Sequence, residues 1–263
     1  MSWTNIGLAV AQGYAEAGAD VAIWFNGNLE AHTRAEEISA QYGIRCVAYK
    51  CNVKNYDDIK ATVGSVQRDF GKIDIFVANA GVDPELVTDG SPALWEDIIT
   101  VNYTSVVSCA AVIGPVFRSQ GHGKFIATAS AAGHNAVRGC YSSLYNSLKA
   151  GVRTFCSSLA YEWADFAHVN SVSRGCGFST LTLETTAKQS SSFTAGYFGD
   201  GMGATDKELN HAYSQTVLGR FGGYHELKAA YLFLASDASS FVTGSDIVLK
   251  LTGGSVVDGG YSI

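Results

Sequence analysis

The sequence predicts an α/β protein with a Rossmann-type, doubly wound parallel sheet. Three observations point there. Short apolar runs recur as VAIWF (21–25), CVAYK (46–50), IDIFVAN (73–79) and KFIATAS (124–130). Longer segments with helical spacing lie between them, such as Ile59, Val63, Val66 and Phe70. The two kinds alternate, and strand–helix alternation builds a parallel sheet whose ligand site lies at the carboxyl ends of the strands.

In chain order, Ile6, Leu8 and Val10 followed by AEAGADVAIWF read as a helix running into the first visible strand. A doubly wound dinucleotide fold begins with a strand and a glycine-rich turn before such a helix, so the usual first strand is expected to be missing. Ser91 and Pro92, as cap and first-turn residue, open a helix predicted to run through Phe117. The Ser/Thr/Gly-rich stretch at 176–217 reads as an unusual substrate loop or lid with its own helix at 204–214, the alternative being a poorly ordered insertion. No Pro/Gly/Ser-rich linker divides residues 1–263, which are read as a single domain.

With a net charge of −6 and only 18 scattered Lys and Arg residues, the chain offers no basic field for nucleic acid. MSWTNIGLAV has no basic region ahead of an apolar one, and no apolar run of about 18 residues is evident; neither a leader nor a membrane span is expected, and a cytoplasmic location is. Cys46, Cys51, Cys109, Cys140, Cys156 and Cys176 lack metal-ligand spacing and are expected to be buried free thiols, with no metal site.

A Tyr-x-x-x-Lys spacing puts a phenol and an ammonium one turn apart on a helix face, where the cation favours phenolate and makes an acid/base usable near neutrality. Three such pairs occur: Tyr56/Lys60, Tyr145/Lys149 and Tyr224/Lys228. Only Tyr145 is preceded, fifteen positions earlier, by a hydroxyl residue at a buried strand end, Ser130, followed by Gly133. The other two pairs are expected to be solvated first turns.

Asn79-Ala80-Gly81 after IDIFVA, Asn102 in ITVNYTS, Ser130 in ATASAAG and Tyr145-Asn146-Ser147-Leu148-Lys149 together resemble the short-chain dehydrogenase/reductase signatures in order and spacing. The likeness covers nearly the whole chain. GLAVAQGYAEAGADVAIWFN, LFLASDASSFVTGSD and VDGGY look closest to the fungal mannitol, sorbose and xylulose reductase branch. The resemblance implies a tetrad: Tyr145 as proton donor in reduction, Lys149 lowering its pKa and holding the nicotinamide ribose, Ser130 polarising a carbonyl, and Asn102 anchoring a proton-relay water. It implies cofactor contacts from Ile6, Gly7, Asn26, Asn52, Val53, Asn79 and Gly81 as well as Tyr145 and Lys149. It also implies a small-molecule carbonyl or alcohol substrate, and a homodimer or homotetramer formed through the helices carrying Asn102 and Tyr145, with Val106, Val107, Phe155 and Leu159.

After VAIWF come Asn26, Gly27 and Asn28, with no carboxylate to bind ribose hydroxyls or repel a 2′-phosphate, so NADP(H) is preferred, with NAD the second choice. Asn52-Val53 stands where the family has Asp-Val. Only Gly7 survives of the family's Gly-x-x-x-Gly-x-Gly turn, with Asn5 in the place of the middle glycine. Ser173-Arg174-Gly175 replaces Ser-Pro-Gly, and an insert around LKLTGGS precedes Val257-Asp258-Gly259-Gly260. These departures carry the alternative to an active reductase: a non-catalytic subunit, or a truncated gene product, with impaired dinucleotide binding.

Overall fold

The structure is a computed structural model that describes residues 5–82, 87–134, 143–175, 218 and 223–249. Strands and helices alternate as predicted: α1 (Asn5–Glu16), β1 (Val21–Phe25), α2 (Glu30–Tyr42), β2 (Cys46–Lys50), α3 (Tyr56–Phe70), β3 (Ile75–Ala78), α4 (Pro92–Ile99), α5 (Ser105–Gln120), β4 (Lys124–Ser130), α6 (Ser143–Glu162), β5 (His168–Arg174), α7 (Lys228–Ala235) and β6 (Asp246–Leu249). The expected lid at 176–217, Cys140, Cys176 and the segment from 250 onward lie outside the described residues.

Local chemistry sets the element ends. Asn55 accepts from the amides of Asp57 and Asp58 at the start of α3, and Gly43 (φ 67°) closes α2 in the left-handed region. Ser91 caps α4 as expected, accepting from the Leu94 amide, with Pro92 in the first turn. The single helix predicted from 91 to 117 is different in detail. It runs to Gln120 and is interrupted by a π-helical turn at Thr100–Thr104, which separates α4 from α5. The extra residue of such a turn rotates the following side chains around the axis, a feature common at functional sites. Pro92–Gln120 is long and apolar enough to cross a membrane, yet half of it is buried in the fold, where Val106, Ile113 and Phe117 join the core.

All strand pairings are parallel. Among the described residues they form two ladders, β1–β2 and β3–β4–β5–β6. Alternate side chains from both ladders enter the same two cores. Trp24, Phe76, Phe125 and Val169 pack with α3, α5 and α6, while Val21, Ile23, Ile126 and Val172 pack with α1, α2 and α7. This is the doubly covered arrangement that the near-continuous apolar strands predicted. No ladder hydrogen bonds join β1 to β3; side chains link them instead. Trp24 of β1 meets Phe76 of β3 edge-on at 5.2 Å, Phe76 stacks on Phe125 at 5.9 Å, and Phe125 meets Trp163 at 5.9 Å.

Because this aromatic row replaces backbone pairing at the junction, Trp24→Ala is expected to lower the unfolding free energy by about 3 kcal/mol, and Trp24→Phe by less. Urea titration of the two variants checks this; a change within about 0.5 kcal/mol for the alanine would show that the row does not couple the ladders.

Candidate active site

In a parallel sheet the carboxyl ends of all strands share one edge, and the chemistry-bearing residues collect there. Asn79 follows β3, Ser130 ends β4, and Arg174 ends β5 directly opposite Ser130 in the ladder. The first half of α6 supplies Tyr145 and Lys149. A small, partly open cavity at this edge is lined by Ile6, Asn79, Gly81, Val82, Asn102, Thr128, Ala129, Tyr145, Lys149 and Arg174.

Burial separates the three Tyr-x-x-x-Lys pairs. Tyr56 is 48% exposed, as expected, whereas Tyr224 and Lys228 are half-buried rather than solvated, with Tyr224 packed on the core and Lys228 paired to Glu16 at 2.7 Å. Tyr145 and Lys149 are 5% and 3% exposed. Lys149 Nζ donates to the Thr128 carbonyl at 3.0 Å and lies 5.6 Å from the centre of the Tyr145 ring. Burial, and then the charge of Arg174, draw the Lys149 pKa down to about 7.

Asn102 is fully buried in the π-helical turn. Its Nδ2 donates to the carbonyls of Ile98 (3.1 Å) and Val82 (3.2 Å), and its Oδ1 accepts from the Val82 amide (3.3 Å). The side chain therefore clamps the loop that follows Asn79-Ala80-Gly81. Gly81 sits beside it: a Cβ there would come within 3.1 Å of Asn102 Oδ1 and 3.8 Å of Lys149 Nζ.

Ser130 caps the short 3₁₀ turn Ala131–Gly133, with Oγ accepting from the Ala132 amide at 3.2 Å. The hydroxyl keeps its own hydrogen to donate. Gly133 is where the turn abuts α6, since a Cβ would stand 2.6 Å from the Ala150 nitrogen. Arg153 Nη1 donates to the Gly133 carbonyl at 2.8 Å, and His134 Nε2 lies 2.6 Å from Asp246 Oδ2. Ser171 Oγ donates to the other Asp246 oxygen at 2.5 Å, and Arg153 Nε lies 3.3 Å from Oδ2, a charge contact rather than an aligned hydrogen bond. The Ser130 turn is thus pinned to α6, β5 and β6.

Of the residues singled out in the sequence, Ile6, Asn79, Gly81, Asn102, Tyr145 and Lys149 meet in the cavity. Ser130 is buried beside it, next to Ala129. Gly7 packs against Asn79, whose Nδ2 would lie 3.0 Å from a Cβ at that position. Asn26, Asn52 and Val53 lie outside the cavity, beyond the ends of β1 and β2; Asn52 Oδ1 accepts from the Lys54 amide at 3.2 Å and Val53 packs on the core.

Four lining residues were not proposed as site residues from the sequence: Thr128, Ala129, Val82 and Arg174. Thr128 Oγ1 donates to Asn79 Oδ1 at 2.9 Å, so the Tyr231 hydroxyl, 2.7 Å away, donates to Thr128. Burial pushes the Tyr231 phenol up to about 12, which keeps that donor protonated. Threonine inside an apolar strand carries no sequence signal of such a bond. Arg174 did carry one, as a break in the Ser-Pro-Gly pattern.

A family model described as enoyl-(acyl carrier protein) reductase matches residues 2–262. An NADP-dependent mannitol dehydrogenase of Hypocrea jecorina is 38% identical over 262 residues, 98% of this chain and 88% of that protein. Among solved structures, the L-sorbose reductase of Gluconobacter frateurii, complexed with NADPH and L-sorbose, superposes with a TM-score of 0.82 at 27% identity, over 96% of this chain and 93% of that one. A short-chain type dehydrogenase/reductase from Mycobacterium marinum gives 0.77 at 31% identity, over 98% and 90%.

The buried ammonium has a stability cost with a definite pH dependence. Unfolding returns Lys149 from about 7 to its ordinary value of 10.5, so the unfolded chain binds more protons between those limits. The penalty is full below pH 7 and fades as pH rises toward 10.5. Lys149→Met is therefore expected to stabilise the protein on the order of 4 kcal/mol at pH 6, with the gain shrinking by pH 10. Paired denaturant curves at the two pH values check this; a gain independent of pH would contradict the assignment.

Proposed function

The chain belongs to the short-chain dehydrogenase/reductase family and is an oxidoreductase, and we propose that it transfers hydride between NADP(H) and the carbonyl or secondary alcohol of a small polyol or ketose, with Tyr145 as general acid/base. The observation that carries this reading is the selective burial of one Tyr-x-x-x-Lys pair, Tyr145/Lys149, in a cavity it shares with Asn102 and Asn79. The residues fit the nicotinamide end of a dinucleotide. Glycine at 81 keeps the floor clear beside the Lys149 cation, where a Cβ would crowd Asn102 Oδ1.

When bound, NADP(H) supplies or accepts the hydride. Reduction builds negative charge on the carbonyl oxygen, and the Ser130 O–H is a buried donor for that charge. The Tyr145 hydroxyl delivers the proton in reduction and takes it back in oxidation. The Lys149 ammonium, when charged, favours the phenolate formed in between. Asn102 acts as a positioning residue here, holding the Val82 loop against the π-helical turn.

NADP(H) is preferred over NAD(H) on two grounds. The Hypocrea jecorina mannitol dehydrogenase is NADP-dependent and the Gluconobacter frateurii sorbose reductase holds NADPH, and Asn26, Gly27 and Asn28 after β1 offer no carboxylate to repel a 2′-phosphate. The four described cysteines, Cys46, Cys51, Cys109 and Cys156, are buried free thiols, which fits a reducing compartment such as the cytoplasm. Assembly as a homodimer or homotetramer through α5 and α6 fits the partly buried Val107 and Phe155; Val106 and Leu159, by contrast, point into the core and are not available to a partner.

Tyr145→Phe is expected to lower kcat/KM for ketose reduction on the order of 10²- to 10⁴-fold while leaving NADPH binding, read by cofactor fluorescence, close to wild type. Wild-type protein should bind NADPH more tightly than NADH. A folded wild-type chain that binds neither dinucleotide would overturn the proposal in favour of a non-catalytic subunit.

A further inference from the structure

Asp246 opens β6, a short strand that is otherwise apolar, and its side chain is only 13% exposed. A carboxylate taken that far out of water is costly unless donors meet its oxygens, and an apolar side chain of similar size would serve the fold without that cost. Both oxygens are met. Ser171, its partner in the β5–β6 ladder, donates to Oδ1 at 2.5 Å, and His134 Nε2 stands 2.6 Å from Oδ2. An ionised carboxylate only accepts, so Nε2 carries the hydrogen and donates. Arg153 Nε, 3.3 Å from the same Oδ2, adds a positive charge from α6. Burial, and then the charge of Asp246, push the thiol of Cys156, also on α6, up to about 12, so the carboxylate acts on the helix as well as on the turn.

The group that His134 fastens is the turn carrying Ser130. Ser130 Oγ accepts from the Ala132 amide at 3.2 Å, and the His134 amide donates to the Ala131 carbonyl at 3.0 Å, so the segment from Ser130 to His134 is one closed 3₁₀ turn. The Ser130 hydroxyl points where that turn points, because the Ala132 amide occupies one of its lone pairs. His134 sits at the far end of the turn from Ser130. Its ring ties that end to β6, as Arg153 Nη1 ties Gly133 to α6 at 2.8 Å. Gly133 abuts the α6 backbone at Lys149 and Ala150, so any shift of the turn changes where Ser130 stands relative to Tyr145 and Lys149. We propose that His134 and Asp246 are positioning residues for hydride transfer, their hydrogen bond holding the Ser130 turn at one place against α6 and so aiming the Ser130 hydroxyl. This deepens the oxidoreductase reading and rests on it for the part that Ser130 plays.

Turnover reads the effect first. His134→Ala is expected to lower kcat for ketose reduction on the order of tenfold, since a small displacement of a group beside the reacting atoms costs rate steeply. NADPH binding, read by cofactor fluorescence, and KM for the ketose are expected to stay within about twofold of wild type. His134→Gln recovers most of the loss, because the glutamine amide donates to the same carboxylate oxygen. In a Ser130→Ala background the effect of His134→Ala is expected to shrink to within about twofold, as the hydroxyl through which His134 acts is gone. An alanine variant as fast as wild type, a glutamine variant as slow as the alanine, or an undiminished effect in the Ser130→Ala background overturns the proposal.

Amide hydrogen exchange tests the tether without turnover. The peptide spanning Ser130 to His134 is expected to exchange about tenfold faster in His134→Ala than in wild type, with β2 and α3 unchanged. Equal exchange in the turn overturns the proposal whatever the activity of the enzyme. Faster exchange in a chain that shows no hydride transfer leaves the tether standing, and the oxidoreductase reading of this chain falls.

Discussion

The site depends on holding the Lys149 ammonium almost completely out of water. One backbone carbonyl, that of Thr128, meets it directly, and the face of the Tyr145 ring lies near. Such a charge is unstable in an apolar core and stable in water, and here it is poised between the two, with its pKa near 7. Its protonation therefore responds to whatever shares the cavity. A neighbouring cation, Arg174, favours the neutral amine. In the role proposed for Tyr145, a charged Lys149 stabilises the phenolate. Burial and charge are coupled at one nitrogen.

That coupling needs the surrounding backbone to stay put, and close approach rather than bulk achieves this. Gly133 lets the Ser130 turn touch the backbone of α6 at Lys149 and Ala150, and Arg153 and His134 tie the same turn to α6 and to Asp246. Gly81 makes the corresponding approach from the β3 side, against Asn102 and Lys149. The π-helical turn lets Asn102 bond Ile98 within its own helical run and Val82 across the loop at once. Arg153 and Asn102 satisfy backbone groups of Gly133 and Val82 in the loops beyond the strand ends, where the ladder no longer does so.

Much of this was legible in the sequence because it rests on periodicity and spacing. Short apolar runs gave the strands, and Ser91-Pro92 marked the start of α4. A hydroxyl residue fifteen positions before Tyr145 distinguished the fully buried Tyr-x-x-x-Lys pair from the exposed one at Tyr56/Lys60 and the half-buried one at Tyr224/Lys228. What escaped was set by tertiary contact. The π-helical turn breaks a segment whose composition reads as continuous helix, and it holds Asn102, which bonds a loop twenty residues away. Thr128 looked like strand filler, yet its hydroxyl joins Asn79 to Tyr231, more than a hundred residues further on. Arg174 was visible only as a departure from a pattern, and its place in the pocket lining emerged when the ladder set it opposite Ser130.

The same logic bears on the junction between the two ladders. Backbone pairing would ordinarily carry register from β1–β2 to β3–β6, and no such pairing occurs among the described residues. Side chains must carry it instead, through the Trp24–Phe76–Phe125–Trp163 row on one face and the shared α1, α2 and α7 core on the other. Ring contacts of this kind are individually modest and less directional than ladder hydrogen bonds. The cavity draws almost all of its lining from the β3–β6 side and from α1 and α6, and α1 also packs against α2 and α7. Helix α1 therefore belongs to both halves, bringing Ile6 to the cavity while its apolar face covers β1, so the integrity of the site depends on the packing of α1 as much as on the strands that present its chemistry.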